Sequence, residues 1–564
     1  MNITKCEKGY SLLLSLMVLI IFSILGLSLI TLTSSSILKN DIREDRTQAK
    51  DISDKGIEFL TLSIQKELTD FIQTGSVGKA DFQTKLAQII QNAKYSCANG
   101  GVEIPSETGQ TKVCIDTQKI ENVYNEKNEL QDLKKIIPII STGTVDGKET
   151  VTTAKVMVGT DAIPDQLRYA ISTNNGGNLY LHGGVEVQGD IKSDGNLILS
   201  KQATWFSGTT AKWEDSVTTR IRQASNSVTP KLIMNEQNYV YILKTHTKPS
   251  YDDHISGTRL NNTTNYSKLS PTAANASSTI SGEFFNSPQL NVVTKNLSDD
   301  KVEITNTILD KASKGTNKKY TSLSITTTTH ETSRFSKNYE TLIAGETEKC
   351  VTYFLLWCTK YEKTLSKSSL TINGASNLGN KRIDFSGTYY VYGDLSITNT
   401  NLRTNALMYV DGNVTIREST LNGITENSTL IIFATGEINI SNISVDSDTP
   451  SVIKGFFYTK SNMIMYGVGS HIQVQGGISA NRLILTAVRG SSRNNYFESG
   501  TAQALLYDHD RNPITPPIPQ KNSRLTVIYD QNLISEYTDF KRDKEEEFIT
   551  EINDAELIER TNIR

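Results

Sequence analysis

The sequence contains few prolines and carries almost no net charge. Only 12 of the 564 residues are proline and none precedes Pro105, so nothing upstream of it forces a helix to break. The 58 Lys and Arg nearly balance the 61 Asp and Glu, and the formal net charge of −3 excludes a general attraction for nucleic acid or an acidic membrane surface. Hydrophobic residues make up 37% of the chain, below the average of globular domains. One large core is therefore excluded, and the length predicts three or four structural units at roughly 100–200 residues each.

Charge is absent altogether from one stretch near the amino terminus. No charged residue occurs between Gly9 and Leu38, and Leu12–Leu32 is almost wholly apolar. At ~1.5 Å per residue this run spans about 31 Å as a helix, the thickness of a bilayer's hydrocarbon core. The sequence therefore predicts a transmembrane helix over this run. Its members include Leu12, Leu14, Gly26 and Leu32.

Three interpretations of this stretch compete. A cleavable signal peptide needs a shorter apolar core, of roughly 7–15 residues, and the only candidate cleavage site is Thr31–Ser36. A plain single-pass anchor fits the length and places Lys5 and Lys8 on the cytoplasmic side. The third interpretation also explains the residues after Leu38, where apolar side chains recur at helical spacing between charges. It predicts one helix over 10–72, about 95 Å long, that faces lipid first and then packs on a soluble domain. The apolar positions of its second half are Ile42, Ala49, Ile52, Leu60, Ile64, Leu68, Phe71 and Ile72.

This layout resembles the amino terminus of type IV pilins and pseudopilins. A short polar leader ends in Lys8-Gly9, and the apolar run follows from Tyr10. The resemblance implies that a prepilin peptidase cuts between Gly9 and Tyr10 and that Tyr10 becomes the N-methylated first residue. Most pilins carry a Glu at mature position five, which is Leu14 here. An unneutralised ammonium in an apolar bundle is costly, so the resemblance is to a minor subunit, of the PilX type or the GspK tip type, rather than to a repeating shaft subunit.

The cysteines indicate an oxidising compartment. Cys6 lies in the leader, and the other four of the 5 cysteines form two local pairs, Cys97 with Cys114 and Cys350 with Cys358. Close pairs in even number suit disulfides that close short loops outside the membrane, although four buried thiols fit the same spacing. Neither pair has zinc-site spacing.

A repeated pattern in the second half of the chain predicts a β-solenoid. Gly-x-(Leu/Val/Ile)-x-Ile occurs at Gly393, Gly412 and Gly436, with looser copies at 370–372 and 463–465. A repeat of about 20–25 residues with short strands and glycine corners is typical of a solenoid whose interior is aliphatic. The same motif appears earlier, because Val187–Ile191 resembles Val474–Ile478 and a Leu-Ile-Leu follows each. The two stretches are predicted to be coils of one structure, where a coil is one turn of the solenoid.

The predicted fold is mainly β, a long amino-terminal helix followed by a right-handed β-helix-like solenoid. Residues 201–368 form an insertion between the two matching stretches. The insertion is rich in Thr, Ser and Asn, and we expect it to project as a strand-rich domain. We expect strand Leu525–Tyr529 to cap the solenoid end, and the charged segment after 541 to be a solvated helix or a frayed tail. The predicted units are a leader at 1–9, the helix at 10–72, a small α/β region at 73–168, first coils at 169–200, the insertion at 201–368, the solenoid at 369–500, and a cap with a charged tail at 501–564.

Signs of enzymatic chemistry are weak. Asp394 and Glu437 follow corner glycines two coils apart, roughly 9–10 Å, at the outer limit for an inverting glycosidase pair, but a ladder of polar turns explains them better. Asp252-Asp253-His254 lacks further spaced metal ligands. We find no phosphate-binding loop, nucleophile elbow or HExxH, so the sequence predicts neither an enzyme nor a cofactor or metal.

Together the residues and the resemblance predict a minor pilin-like subunit of a type IV filament or a related secretion or DNA-uptake system. Its expected partners are other pilin-like helices, a prepilin peptidase and the bacterial cell membrane, with an extracytoplasmic ectodomain whose ligand, whether glycan, protein or DNA, is open. Two alternatives remain, a membrane-anchored surface adhesin outside any filament and a tethered carbohydrate-active β-helix enzyme.

Overall fold

The structure is a computed structural model, and it divides the chain into two units. One unit comprises Met1–Ala162 with Glu545–Arg564, and the other comprises Ile163–Lys544. The structure describes residues 7–73, 77–106, 108–124, 130–160, 164–207, 209–223, 229–244, 247–295, 297, 302–316, 318–326, 339–354, 357–374, 382–441, 449–489, 496–497, 506–507, 522–530, 532–541, 548–549, 552–553 and 555–563.

The first unit consists of a long helix on an antiparallel sheet. Its elements are α1 Glu7–Gln73, β1 Val77–Gly78, α2 Lys79–Ile90, β2 Val102–Ser106, β3 Gly109–Ile115, β4 Glu121–Tyr124, β5 Leu130–Val145, β6 Lys148–Gly159, β37 Phe548–Ile549 and β38 Glu556–Ile563. The sheet order is β2-β3-β5-β6-β38, with β4 paired to β5. Side chains of the second half of α1 are buried against this sheet, at positions Ala49, Ile52, Leu60, Ile64, Leu68 and Ile72. The helical spacing seen in the sequence therefore marks the packed face from Ala49 onward. Of the other predicted positions, Phe71 is partly buried and Ile42 is exposed.

The carboxyl-terminal segment differs from the predicted helix or frayed tail. Residues Glu556–Ile563 form β38, which pairs antiparallel with β6, and Phe548–Ile549 pairs with β1. Strand β38 lies at the edge of the sheet and its side chains from Glu556 to Asn562 are mostly exposed. A charged sequence is compatible with an edge strand because only one side of the strand needs a partner. The tail thus completes the unit in which the chain begins.

The second unit is a stack of coils built from one 24-stranded sheet. Its strands are β7 Ile171–Thr173, β8 Leu179–Gly183, β9 Glu186–Gln188, β10 Ile191–Ser193, β11 Leu197–Ser200, β12 Gln202–Ser207, β13 Thr210–Asp215, β14 Arg220–Arg222, β15 Lys231–Met234, β16 Val240–Leu243, β17 Tyr266–Leu269, β18 Asn291–Thr294, β19 Lys318–Tyr320, β20 Leu323–Thr326, β21 Glu340–Ile343, β22 Gly345–Phe354, β23 Trp357–Ser366, β24 Leu370–Asn373, β25 Arg382–Val391, β26 Leu395–Thr398, β27 Asn401–Val410, β28 Val414–Arg417, β29 Thr420–Gly423, β30 Leu430–Ala434, β31 Ile438–Ser441, β32 Ser451–Gly467, β33 Ile472–Ala487, β34 Tyr496–Phe497, β35 Leu506–Tyr507 and β36 Leu525–Tyr529. Its helices are α3 Tyr251–Ser256, α4 Ala276–Ser281, α5 Ile304–Lys314 and α6 Asn532–Lys541.

Parallel strands in this unit stack in register, one aliphatic side chain over the next. One interior column runs through the five repeat positions predicted from the sequence and continues at both ends. In stacking order its members are Leu323, Leu370, Leu395, Val414, Ile438, Met463, Leu483, Leu179, Leu197 and Val240. All but the first are buried, and the predicted solenoid arrangement is therefore present. Its predicted right hand stays a prediction.

The stacking order does not follow the chain order. The last long strand, β33, pairs with β7 and β8, so the coil at 171–183 stacks directly after the coil at 472–487. Strand β36 fills the same layer, because it pairs with β33 on one side and with β9 on the other. We call this layer the seam coil. The Val187 and Val474 repeats are therefore coils of one structure, as predicted, and the seam coil separates them.

Two expectations for this unit need correction. Strand Leu525–Tyr529 does not cap an open end, because it lies inside the stack in the seam coil. The stretch 201–368 is not only a projecting domain, because β14, β15, β16, β18, β19, β20 and β21 belong to the solenoid sheet. The hairpins β12–β13 and β22–β23 and the helices α3 to α5 leave the coils between those strands. Strands of three or four residues give too short an alternation to stand out in a Thr- and Ser-rich sequence.

Helix α4 covers an end of the stack, where β18 lies on β15 and β17 pairs antiparallel with β16. The amide of Val292 in β18 donates to Ser277 Oγ at 3.2 Å, and the amide of Leu290 donates to Ser281 Oγ at 2.8 Å. Ile280 of the same helix is fully buried in the solenoid core. Hydroxyls and apolar side chains of one short helix thus take the place of a further coil.

The seam coil makes a direct test of this stacking possible. Val527 of β36 is fully buried between Val474 and Val187, whereas the neighbouring Thr526 points to the other face. Val527→Asp places a carboxylate in the aliphatic interior, and we expect it to lower the free energy of unfolding by more than ~3 kcal/mol. Thr526→Asn, the control on the outer face, adds no charge beside Glu186 and should change it by less than ~0.5 kcal/mol. Urea unfolding of the detergent-solubilised chain measures both, and equal effects contradict the seam.

Candidate functional site

The apolar half of α1 is the first candidate site. From Leu12 onward its large side chains are exposed, with relative exposures of 72% for Leu12, 57% for Leu14 and 68% for Leu32. A Cβ added at Gly26 would meet no atom within 4 Å. Of the described residues, this helix alone has the length and composition of a membrane span, with a best window of mean hydropathy 2.8. A helix that is apolar all round needs lipid or other apolar helices around it.

The predicted processing site lies at the start of this helix. The backbone of Gly9 and Tyr10 is helical, since α1 begins at Glu7. The side chain of Tyr10 and the leader residues 1–6, which include Cys6, lie outside the described part of the chain. Cleavage after Gly9 therefore stays a prediction from the sequence.

The other half of α1 is held against the sheet by close backbone contact. A Cβ on Gly143 of β5 would lie 2.0 Å from the carbonyl oxygen of Ala49, and a Cβ on Gly56 would lie 2.3 Å from Ser141 Oγ. Two hydroxyls hold the helix on the sheet near these glycines. Ser53 Oγ donates to the carbonyl of Ser141 at 2.8 Å, and Thr111 Oγ1 donates to that of Ile52 at 2.9 Å. The apolar half of α1 is thus the continuation of a closely packed helix.

A groove of about 510 Å³ runs beside this packed half. Asp54 of α1 forms an ion pair with Arg560 of β38 and accepts a hydrogen bond from Thr152 Oγ1 at 3.2 Å. Leu62 and Leu557, also on its walls, are more than half exposed. The groove combines an ion pair with exposed apolar side chains but brings no set of catalytic groups together.

Both predicted cysteine pairs lie at disulfide distance. Cys97 and Cys114 have an S–S distance of 2.13 Å and a Cα–Cα distance of 4.8 Å, and they join a short turn to β3. Cys350 and Cys358 link β22 to β23 across their hairpin, with Cα atoms 5.8 Å apart. The two bonds close loops of 17 and 8 residues in separate units of the chain.

The post-glycine residues form the ladder predicted for them. Asp394 Oδ1 accepts the amide of Asn413 at 2.7 Å, Asn413 Oδ1 accepts the amide of Glu437 at 2.9 Å, and Asn462 Nδ2 donates to Glu437 Oε1 at 3.2 Å. Each side chain therefore satisfies a group of the next coil. Asp394 and Glu437 are both engaged in these contacts, which is the structural role expected from their turn positions.

A buried histidine pair was not foreseen. His182 and His254 lie 72 residues apart, and their Nε2 atoms meet at 2.8 Å. Because both nitrogens face each other, one must carry the proton and the other must accept it. His254 Nδ1 lies 2.7 Å from Tyr266 Oη, and His182 Nδ1 lies 3.2 Å from Thr204 Oγ1. The sequence shows only isolated histidines, and the pairing exists only once α3 covers β8.

Burial keeps this pair neutral. Desolvation holds the pKa of His182 well below its usual range, and the neighbouring His254 lowers it further. Burial lowers the pKa of His254 to about 3 and raises that of Tyr266 to about 12. Asp253, the neighbour of His254 in the sequence, forms an ion pair with Arg259 at 3.2 Å. No group of three or more metal-ligating His, Cys, Asp or Glu side chains occurs among the described residues.

An ion-pair cluster lies beside the seam coil. Arg489 Nη2 lies 3.0 Å from Glu186 Oε2, and Arg222 Nε lies 2.7 Å from Glu186 Oε1. Arg489 and Glu186 are both buried, and the Arg489 guanidinium also lies 5.6 Å from the ring centroid of Phe285. Removing one partner of a buried pair leaves an uncompensated charge, so the cluster fixes how the chain leaving β33 meets β9.

Comparisons with known proteins add little to this description. No protein-family model matches the chain, and no curated protein matches it. Among solved structures it is similar to the crystal structure of the competence-associated pilin ComZ from Thermus thermophilus, at 11% sequence identity over 86% of this chain and 96% of that one. The TM-score is 0.19, too low to support a shared fold. The pilin resemblance therefore rests on the amino-terminal residues.

The histidine pair predicts a loss of stability in acid. Both pKa values are lowered on folding, so the unfolded chain binds more protons below about pH 6.5, and stability must fall as the pH drops from there toward the folded-state values. Each histidine contributes up to ~1.4 kcal/mol per pH unit to that fall. His254→Gln should remove about half of the slope. Urea unfolding followed by tryptophan fluorescence at pH 7, 6 and 5 measures it, and an unchanged slope in the variant contradicts the assignment.

Proposed function

We propose that this chain is a minor pilin-like subunit that holds an α1-anchored ectodomain outside the bacterial cell membrane. The observation that carries the proposal is the Lys8-Gly9-Tyr10 junction at the head of one 67-residue helix. The first half of that helix is apolar and exposed, and the second half is packed on a sheet. Such a helix can remain in the membrane after processing and then enter a bundle of similar helices.

A minor position in that bundle, at the tip or in an assembly complex, follows from Leu14. An amino-terminal ammonium on Tyr10 has no carboxylate at this position to neutralise it in a neighbouring subunit. Repeating the subunit along a shaft would repeat that cost at every step. A subunit present in one copy incurs this cost once, and a subunit at the end of the filament can leave its ammonium nearer to water.

A non-enzymatic role for the ectodomain is part of the proposal. Support comes from Asp394 and Glu437, the one carboxylate pair considered for glycoside cleavage, which accept hydrogen bonds within the corner ladder. Two disulfide-distance pairs suit a chain exported to an oxidising compartment. The solenoid then serves for adhesion or for assembly with other surface components.

Processing tests the proposal against a plain membrane anchor. We expect the chain, expressed with a prepilin peptidase, to lose residues 1–9 and to begin with N-methyl-Tyr10 when its amino terminus is analysed by mass spectrometry. Gly9→Val should block cleavage and keep Met1, because the peptidase of this family cuts after glycine.

Gly26→Val is the matched control, since the helix leaves open space around Gly26 and the substitution should not affect cleavage. An intact Met1 in the parent chain contradicts the pilin-like assignment. Correct export of the Gly9→Val variant with full surface function would favour the anchored adhesin instead.

A further inference from the structure

One face of the solenoid changes character halfway along the stack. In register, its outward column begins with Ser324, Thr371, Ser396, Thr415 and Asn439 and continues with Ile464, Ile484, Tyr180, Ile198 and Tyr241. In the second half Tyr180, Ile198, Tyr241 and Ile484 are buried in a cluster with Leu260 and Tyr266. The first half is polar, and its side chains are half-buried or exposed. The polar half is therefore a separate surface.

We call this polar half, Ser324, Thr371, Ser396, Thr415 and Asn439, the polar array. A second outward column, Asn373, Thr398, Arg417 and Ser441, runs beside it two residues further along each strand. Neighbouring parallel strands are about 4.8 Å apart, and residues two apart on one strand are separated by roughly 6.6 Å. The array is thus a regularly spaced row of hydroxyl and amide groups, and the column beside it adds the Arg417 guanidinium. Its regular spacing follows from the aliphatic columns directly beneath it.

The polar groups of the array are free to bind. Within the described part of the chain, the side chains of Thr371, Ser396, Thr415 and Asn439 make no hydrogen bond. This contrasts with the corner ladder two residues earlier on each strand, where Asp394 and its counterparts form hydrogen bonds from coil to coil. Each hydroxyl can both donate and accept, and so can the amide of Asn439.

Charge and composition narrow the kind of partner. The cation nearest the array, Arg417, forms an ion pair with Glu418 at 3.2 Å, and the carboxylates of Asp394 and Glu437 border the array. The negative electrostatic potential of these carboxylates disfavours binding of DNA, acidic glycans and anionic lipid. The array also has no Trp, Tyr or Arg, the residues that anchor most protein interfaces. A neutral, extended, hydroxyl-rich polymer fits these properties.

We propose that the polar array binds a neutral polysaccharide, with its hydroxyls pairing with those of successive sugar units. Single hydrogen bonds of this kind contribute little, so binding depends on repetition across coils. The proposal names a ligand class for the ectodomain of the proposed function, and in that respect it rests on surface display. Binding itself can be measured on the purified chain.

The test uses the full chain in detergent, with microcrystalline cellulose and chitin as neutral probes and polygalacturonate and duplex DNA as acidic ones. We expect the parent chain to bind at least one neutral polymer and neither acidic one. The triple variant Thr371→Val, Ser396→Ala, Thr415→Val removes three hydroxyls while keeping side chains suited to a sheet. It should bind the neutral polymer at least tenfold more weakly.

Thr420→Val is the matched control, because Thr420 lies in β29 outside the array and should leave binding unchanged. A second variant, Ser396→Lys, blocks the array with a long charged side chain and should also weaken binding, so a poorly folded triple variant does not end the test. The proposal is overturned by a parent chain that binds neither neutral polymer, by undiminished binding in a well-folded array variant, or by preference for an acidic probe. Cleavage after Gly9 is measured separately, so normal processing without glycan binding rejects only this inference.

Discussion

The solenoid depends on the in-register stacking of aliphatic side chains inside its coils. A coil of short strands cannot bury its own interior, and each layer becomes stable only when another layer covers it. Leu395, for example, lies between Leu370 and Val414, and the same relation holds along the whole column. The corner glycines and their polar ladder follow from this spacing, since Gly412 and Gly436 each sit so close to the previous corner that a Cβ would approach a carbonyl within 2.5–2.7 Å.

Stacking specifies contact between layers but leaves the order of layers along the chain free. The chain enters the stack in the seam coil, builds outward through β18, and then returns at the other end with β19 to approach its starting layer again through β33. The seam coil is therefore made by two segments far apart in sequence, β36 and β7 with β8. Buried Glu186 and Arg489 form an ion pair beside it. An ionic contact therefore accompanies the aliphatic stacking at the seam coil, where the neighbouring segments are not consecutive in the chain.

What the sequence predicted depended on how local each signal was. The coils from Leu370 to Leu485 follow from glycine and aliphatic spacing within single repeats, and the two-part helix follows from periodicity within its own length. The seam could not be predicted, because Val527 carries no mark of its neighbours Val474 and Val187. The His182–His254 pair was missed for the same reason. The tail strand β38 was missed because a charged segment suggests solvent, although an edge strand also faces solvent.

The return of the tail to the amino-terminal unit has a mechanical consequence. Because Glu545–Arg564 belongs to the same unit as Met1–Ala162, the polypeptide connects the solenoid unit to the helix-bearing unit at two points rather than one. A pull on the solenoid is shared between them, and the tail transmits its share through β38, whose hydrogen bonds to β6 run across the strand direction. A load along β38 shears all the hydrogen bonds between β38 and β6 together instead of breaking them one at a time. Two covalent connections between the units therefore oppose their separation under load better than a single linker would.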